Sequence, residues 1–431
     1  MKRLLVIAIA LSLLTACSVP AQTSPTPNSV TLTLVSMFGG GDANAATLKS
    51  AVAAYMDSSG NKVQNLSSIG DDTWKIAVIN DFAEGNEPDV LQFFSGNTSD
   101  PIVEKLVTID EIREVYPDYL TNLSEDVITS AAAGTLGQKR CWGPSNGYWE
   151  QTFVNSDVLK RAGIAEPPQT WDDFLAACEK IKAIGVTPIG VDFASEPNYL
   201  FEFLLYNYAG DDLPLQTPRS SGDLAASNIS AALKDFKLLN DKGFFSAEAA
   251  NATREQTVAE FAAKKSAFLC GGHWNVAAIQ SASLDAASVL GFGFPTKDPS
   301  VRSAGSVISG YSSGFAITRK AWDDPSKREA AVKLVEAILT DENVSAFANG
   351  GLTAVPSKAG AIVSGDVSSF LQSCLDVNKN ADLTTAPAED FWSANTGKLL
   401  FNNLIARVCN GTTTVDQAIE ELVHTVTAAD K

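Results

Sequence analysis

The order of its hydrophobic patterns constrains this chain most: segments alternating with a period of two are followed, repeatedly, by segments with a helical period. Val30-Thr31-Leu32-Thr33-Leu34-Val35 alternates as a half-buried strand, Phe38-Gly39-Gly40-Gly41-Asp42 breaks it, and a helical pattern runs from Asn44 to Met56. Trp74 to Phe82 has the spacing of another helix, and Pro88 to Phe94 reads as a buried strand ended by Ser95-Gly96-Asn97. The pattern returns with a strand at Gln151–Val154 and a short helix at Asp157–Ala162. A longer helix follows up to Ala183, signalled by Thr170 as N-cap and by Asp172 and Asp173 in its first turn. A strand at Val186–Phe193, helices near 198–209 and 226–241, a short strand at Ala267–Cys270 and a helical tail at Val415–Val426 complete the series. Strands separated by helices pair most readily in parallel, so the expected class is α/β. A chain of 431 residues exceeds what one core organises, which predicts two domains.

The ends and the charge narrow the setting. Lys2 and Arg3 precede an apolar run, Leu4 to Leu14, that suits the core of a signal peptide and is too short to span a bilayer. Leu14-Thr15-Ala16-Cys17 resembles the lipobox of bacterial lipoproteins, which implies cleavage after residue 16 and lipid on Cys17. Residues 17–29, rich in Ser, Thr and Pro, read as a flexible tether. Loss of residues 1–16 removes two cations and takes the net charge from −18 to −20. Such a surface repels nucleic acid and leaves the lipid anchor as the only expected membrane contact. Without a CxxC, and with only His273 and His424 as histidines, a zinc or copper site is not expected, and no cofactor is called for. If Cys17 is acylated, Cys141, Cys178, Cys270, Cys374 and Cys409 remain; spacing leaves their pairing open, with Cys374–Cys409 the favoured pair.

Several segments, in order, resemble the extracellular solute-binding proteins of ABC importers, in particular the sugar-type branch like maltose-binding protein. The most specific is Phe153-Val154-Asn155-Ser156-Asp157-Val158-Leu159, followed by Gly163 and by Pro167-Pro168-Gln169-Thr170-Trp171-Asp172-Asp173-Phe174. Gly134 to Gly147 is similar to a segment crossing between lobes in that family. Phe261 to Phe268 with Gly272-His273-Trp274-Asn275, Gly351 to Pro356, Phe391-Trp392 and Thr414 to Ala418 match further segments. Phe153 stands where the family commonly has Tyr, and His273 where it commonly has Pro. The resemblance implies a two-lobed, class II-like fold with three hinge crossings and a ligand in the cleft between lobes. The crossings are expected near 143–151, 293–296 and 351–356. One lobe is then 30–146 plus 296–350, and the other 147–295 plus 351–431. It also implies a binding protein that catalyses no reaction, working as a monomer with ABC permease subunits as partners.

A sugar offers apolar C–H faces and a rim of hydroxyls, so its receptor needs flat aromatic side chains and directional amides or carboxylates. Aromatic candidates beside the pattern breaks are Trp274, Trp392, Tyr148, Phe38 and Tyr311, with Phe94 beside them. Tyr148 lies on the first expected crossing, flanked by Trp149 and Glu150. Polar candidates are Asn198 and Glu196, in a Glu-Pro-Asn segment that resembles a binding loop of the maltose branch, together with Asp72 and Asn97. Gly39 to Gly41 would let backbone amides approach a ligand. Trp171, Trp142 and Trp322 are read as core. Two other readings stay open: the same fold taking a polyamine or another small solute, and a sensing lipoprotein with no transporter.

Overall fold

The computed structural model describes residues 29–429 apart from 41, 43, 71, 132–138, 146, 194–196, 283–285, 312 and 352–367. The signal segment, Cys17 and the tether up to residue 28 therefore lie outside the described residues, as do Glu196 and the third expected crossing from residue 352 onward.

The strands described are β1 (Thr31–Val35), β2 (Lys62–Asn65), β3 (Val90–Phe94), β4 (Gly143–Pro144), β5 (Tyr148–Asn155), β6 (Thr187–Gly190), β7 (Ser266–Gly272), β8 (Val289–Phe292), β9 (Ser306–Gly310), β10 (Ser313–Ile317) and β11 (Leu383–Thr385). They form two sheets. The first has the order β2-β1-β3-β10-β4 and the second β11-β9-β5-β7-β6, with β8 also paired to β5. In the first sheet β1 is parallel to β2 and β3, and β10 runs antiparallel to β3 and β4. Each sheet carries helices and its own apolar core, which makes the protein two-lobed.

Local chemistry explains the elements. On β1, Leu32 and Leu34 are buried while Thr31 faces water, as the alternation requires. The helix Trp171–Ala183 starts where the Thr170 hydroxyl accepts from Asp173 N–H at 3.2 Å. Its Trp171, Phe174, Ala177, Cys178 and Ile181 recur at helical spacing and enter the second core. Trp142 and Trp322 pack in cores on the first side. The C-terminal helix Val415–Ala429 buries Ala418, Ile419 and Leu422 against the second core.

The chain passes from the first sheet to the second between Pro144 and Tyr148, and back between Gly310 and Ser313. These passages lie side by side, because Tyr148 pairs with Gly310 and Trp149 with Ser309. The return therefore falls between Gly310 and Ser313 and not near 293–296. Thr296 is held within the second lobe by bonds with Trp171 N–H (2.8 Å) and the Gln169 carbonyl (3.1 Å), and β9 stays in the second sheet. Residues 296–310 are thus part of the second lobe, not the first. A further passage lies between Phe347, in the first core, and Phe370, packed with Phe153 of β5.

The five cysteines after Cys17 are free thiols. Cys374 packs with Phe153 and Phe370, whereas Cys409 packs in the larger second core, so the favoured disulfide is not formed. Among the described residues no helix is long and apolar enough to cross a membrane.

Candidate functional site

Where the lobes meet, aromatic rings and carboxylates gather on the second lobe. Trp274 follows β7 directly and lies across Gly272, where an added Cβ would sit 2.1 Å from the indole Cζ3; glycine is required there for the ring to lie flat on the strand. Tyr199 is 5.1 Å from Trp274 between ring centroids, and Tyr148 is 6.3 Å from it. All three rings are partly exposed. His273 contributes no charge: burial pushes its pKa down to about 3, and it packs its ring 4.7 Å from that of Trp149.

The carboxylates come from three elements. Glu150 is the one acid on β5, two residues after Tyr148, and is 2% exposed. Glu202 is one turn into the helix Asn198–Ala209 and is fully buried. Glu389 and Asp390 belong to the short turn Ala388–Phe391. Asn198, at the start of the same helix, donates its amide to Glu389 Oε2 at 3.1 Å and Oε1 at 3.2 Å. The backbone N–H of Glu389 donates to Glu202 Oε1 at 3.0 Å, and the Tyr148 hydroxyl donates to Asp390 Oδ2 at 3.2 Å.

Their electrostatics follow from that crowding. Burial first, then the charges of Glu389 and Asp390, hold Glu150 well above the usual carboxylate range. Burial, then Glu389 and Glu150, do the same to Glu202. Burial raises Asp390 to about 6, against the hydrogen bond from Tyr148. Burial and the surrounding carboxylates push the Tyr148 phenol well above its ordinary value. A carboxyl cluster beside aromatic faces can grip hydroxyl or ammonium groups at its edge while a ring rests on the aromatics.

The two lobes touch at this site. Asn97, just beyond β3, donates its amide to the Glu389 carbonyl at 2.7 Å and also to the Trp392 carbonyl. Beside it Gly96 has a φ of 60°, and a Cβ there would lie 2.7 Å from the Asp390 carbonyl oxygen. Ser95 donates to the Tyr311 carbonyl at 3.2 Å.

The structure thus brings together Tyr148, Trp274 and Asn198, and places Asn97 as a clasp between lobes. Tyr311 sits on the return crossing, packed against the first-lobe cluster containing Trp74 and Phe93, with Phe94 at the same edge. Two expectations need correction. Trp392 is no platform: it is fully buried, stacked on Phe401 at 5.5 Å, with its indole N–H donating to the Gln216 carbonyl at 2.6 Å. Phe38 is 5% exposed and packs with Phe315 and Phe347 in the first core. Gly39 is needed for the approach of Ser67 and Ser68, whose backbone a Cβ would meet at 2.4 to 2.6 Å. Asp72 begins the helix Asp72–Glu84, its side chain outside the described residues, and Glu196 lies outside them altogether.

Sequence reasoning missed Tyr199, Glu202, Glu389 and Asp390. One signal for Glu202 was available: it is the only charge in the apolar helix sequence NYLFEFLLYNYA. A lone carboxylate in such a run must be satisfied or have a purpose.

The model of the family described as bacterial extracellular solute-binding protein matches residues 40–345. Over 133 residues the chain is 28% identical to an sn-glycerol-3-phosphate-binding periplasmic protein of Shigella flexneri, a match covering 30% of this chain and 28% of that protein. It thus aligns with less than a third of that relative's length. A chitin oligosaccharide binding protein superposes with a TM-score of 0.79 at 19% identity, covering 93% of this chain and 99% of the other. Maltose-bound MalE3 of T. maritima superposes with a TM-score of 0.70 at 17% identity, covering 93% and 100%. A probable secreted solute-binding lipoprotein from Streptomyces coelicolor gives 0.71 at 17% identity, covering 94% and 99%.

Proposed function

Because the chain belongs to the bacterial extracellular solute-binding protein family, we propose that it captures a carbohydrate outside the cytoplasmic membrane and delivers it to an ABC import permease. The observation that carries this reading is the wall of Tyr148, Tyr199 and Trp274 set beside carboxylates and the Asn198 amide where the lobes meet. Flat rings match the C–H faces of a sugar, and carboxylates accept from its hydroxyls. The lobes close about the paired passages at 144–148 and 310–313, and the Asn97 clasp holds them shut over the ligand. Lipid on Cys17 keeps the otherwise soluble monomer at the membrane surface. The site binds and releases its solute unchanged.

A thermal-shift screen of the mature chain tests this. Mono- or oligosaccharides are expected to raise the melting temperature, since a ligand of the native state stabilises it by mass action. Hits confined to polyamines or amino acids would overturn the carbohydrate assignment.

A further inference from the structure

Resting on the carbohydrate reading, we infer that the ligand is a saccharide bearing a free protonated amine, seated with its ammonium among Glu150, Glu202, Glu389 and Asp390. Four carboxyl groups gather at the edge of the aromatic wall: bonds from Asn198, the Glu389 backbone and Tyr148 tie Glu389, Glu202 and Asp390 into place, and Glu150 feels the charges of Glu389 and Asp390. Glu150 and Glu202 are almost wholly buried, yet Oε2 of each has no hydrogen-bond partner. An acceptor oxygen sealed from water without a donor is costly, so its presence in both acids points to a donor that arrives with the ligand.

The charge balance says what kind of donor. The charged neighbours acting on Glu150, Glu202 and Tyr148 are all carboxylates, drawn from β5, the helix Asn198–Ala209 and the Ala388–Phe391 turn. His273, behind Trp149, is neutral. A neutral hydroxyl would satisfy one acceptor but would not offset the charge these acids carry when ionised. An ammonium supplies three donors and a compensating charge. Partly exposed Trp274, Tyr199 and Tyr148 also present aromatic rings to a cation.

Binding a cation favours the ionised carboxyls, so it releases protons. Asp390, raised to about 6, is mostly protonated near pH 5 and mostly ionised near pH 7. That group alone gives about tenfold tighter binding at the higher pH, until the amine itself deprotonates.

Titration calorimetry on the mature chain tests the inference with three probes: the β-1,4-linked glucosamine disaccharide, its N,N′-diacetyl derivative, and spermidine. The free amine is expected to bind ~10–100-fold more tightly than the acetylated form. Its affinity should rise from pH ~5 to ~7, with proton release visible in buffers of different ionisation enthalpy. Glu202→Gln and Glu150→Gln should each weaken the amine ~10-fold and the acetylated probe by much less, so that the preference for the amine collapses, and both should fold, since each removes a buried repulsion. Equal or tighter binding of the acetylated sugar overturns the inference and leaves the carbohydrate reading standing. Spermidine alone binding overturns both. Binding of none of the three overturns the inference, while a neutral sugar found by thermal shift would still uphold the carbohydrate reading.

Discussion

Replacing Gly96 with alanine should prop the two lobes apart, and its cost divides into two parts that separate experiments can read. The first is local. Gly96 has φ 60° and ψ −148°, a region almost closed to residues with a Cβ. Holding alanine there costs about 1–3 kcal/mol whether the lobes are open or shut, and it lowers the stability of the free protein. The second part exists only with the lobes together. The new Cβ would lie 2.7 Å from the Asp390 carbonyl oxygen, where ordinary contact begins at 3.4 Å. The turn carrying Asp390 must retreat by about 0.7 Å to reach ordinary van der Waals spacing. A retreat of that size stretches the Asn97 bond to the Glu389 carbonyl from 2.7 Å to about 3.4 Å at most, which weakens it, and perturbs the one to Trp392. A bond of this kind is worth about 0.5–1.5 kcal/mol, so weakening the pair disfavours closure by about 0.5–1.5 kcal/mol. Ligand affinity then falls about 2–10-fold. The assays are calorimetry with whichever sugar the thermal-shift screen identifies, and the radius of gyration in solution with that sugar saturating. Asn97→Ala serves as control: it removes the bonds without the backbone strain, so affinity drops while the melting temperature of the free protein stays near wild type. If Gly96→Ala binds as tightly as wild type and compacts equally on binding, the Gly96–Asp390 approach is no part of the closed state and the clasp argument fails.

Trp392→Ala should destabilise the protein by about 3–5 kcal/mol, since it empties a core site and leaves the Gln216 carbonyl without its donor. A denaturant melt reads this, and a variant that melts normally yet loses ligand would make Trp392 a binding residue after all. Trp274→Ala should abolish the ligand-induced thermal shift with little change in the unliganded melt, because the indole is partly exposed over Gly272; a large baseline loss would place it in the core. The Asp390 carboxyl, raised to about 6, keeps in the folded chain a proton that the unfolded chain has released, so its contribution to stability falls as pH rises between about 4 and 6. Asp390→Asn should therefore gain on wild type across that window, by up to ~3 kcal/mol, and then level off; an advantage that shrinks with rising pH would contradict the assignment. His273 runs the other way: its depressed pKa of about 3 gives stability that is full above about 6.5 and drains away in acid, which is why the comparison with the variant, and not the wild-type curve alone, isolates Asp390.

What the sequence determined by itself was whatever short-range chemistry decides. The Thr170 cap, the helical spacing of Trp171, Phe174, Cys178 and Ile181, and the alternation of Leu32 and Leu34 need only neighbours a few residues away, and each is found where the pattern puts it. The α/β class and two lobes follow from the order of such elements and from chain length. The crossing was misplaced because it depends on which distant strands pair: β9 joins β5 and β10 joins β3, and no local signal near 293–296 carries that choice. The same limit applies to the aromatics. Trp392 and Trp274 look alike in sequence, each beside a break, yet one is sealed against Phe401 and the other lies open beside Tyr199. Whether a ring serves core or cleft is set by the layer packed over it, and that layer comes from elsewhere in the chain. The acid cluster is the plainest case. Glu150, Glu202 and the Glu389–Asp390 pair are far apart in sequence, and their charges alter one another only after folding removes the water between them.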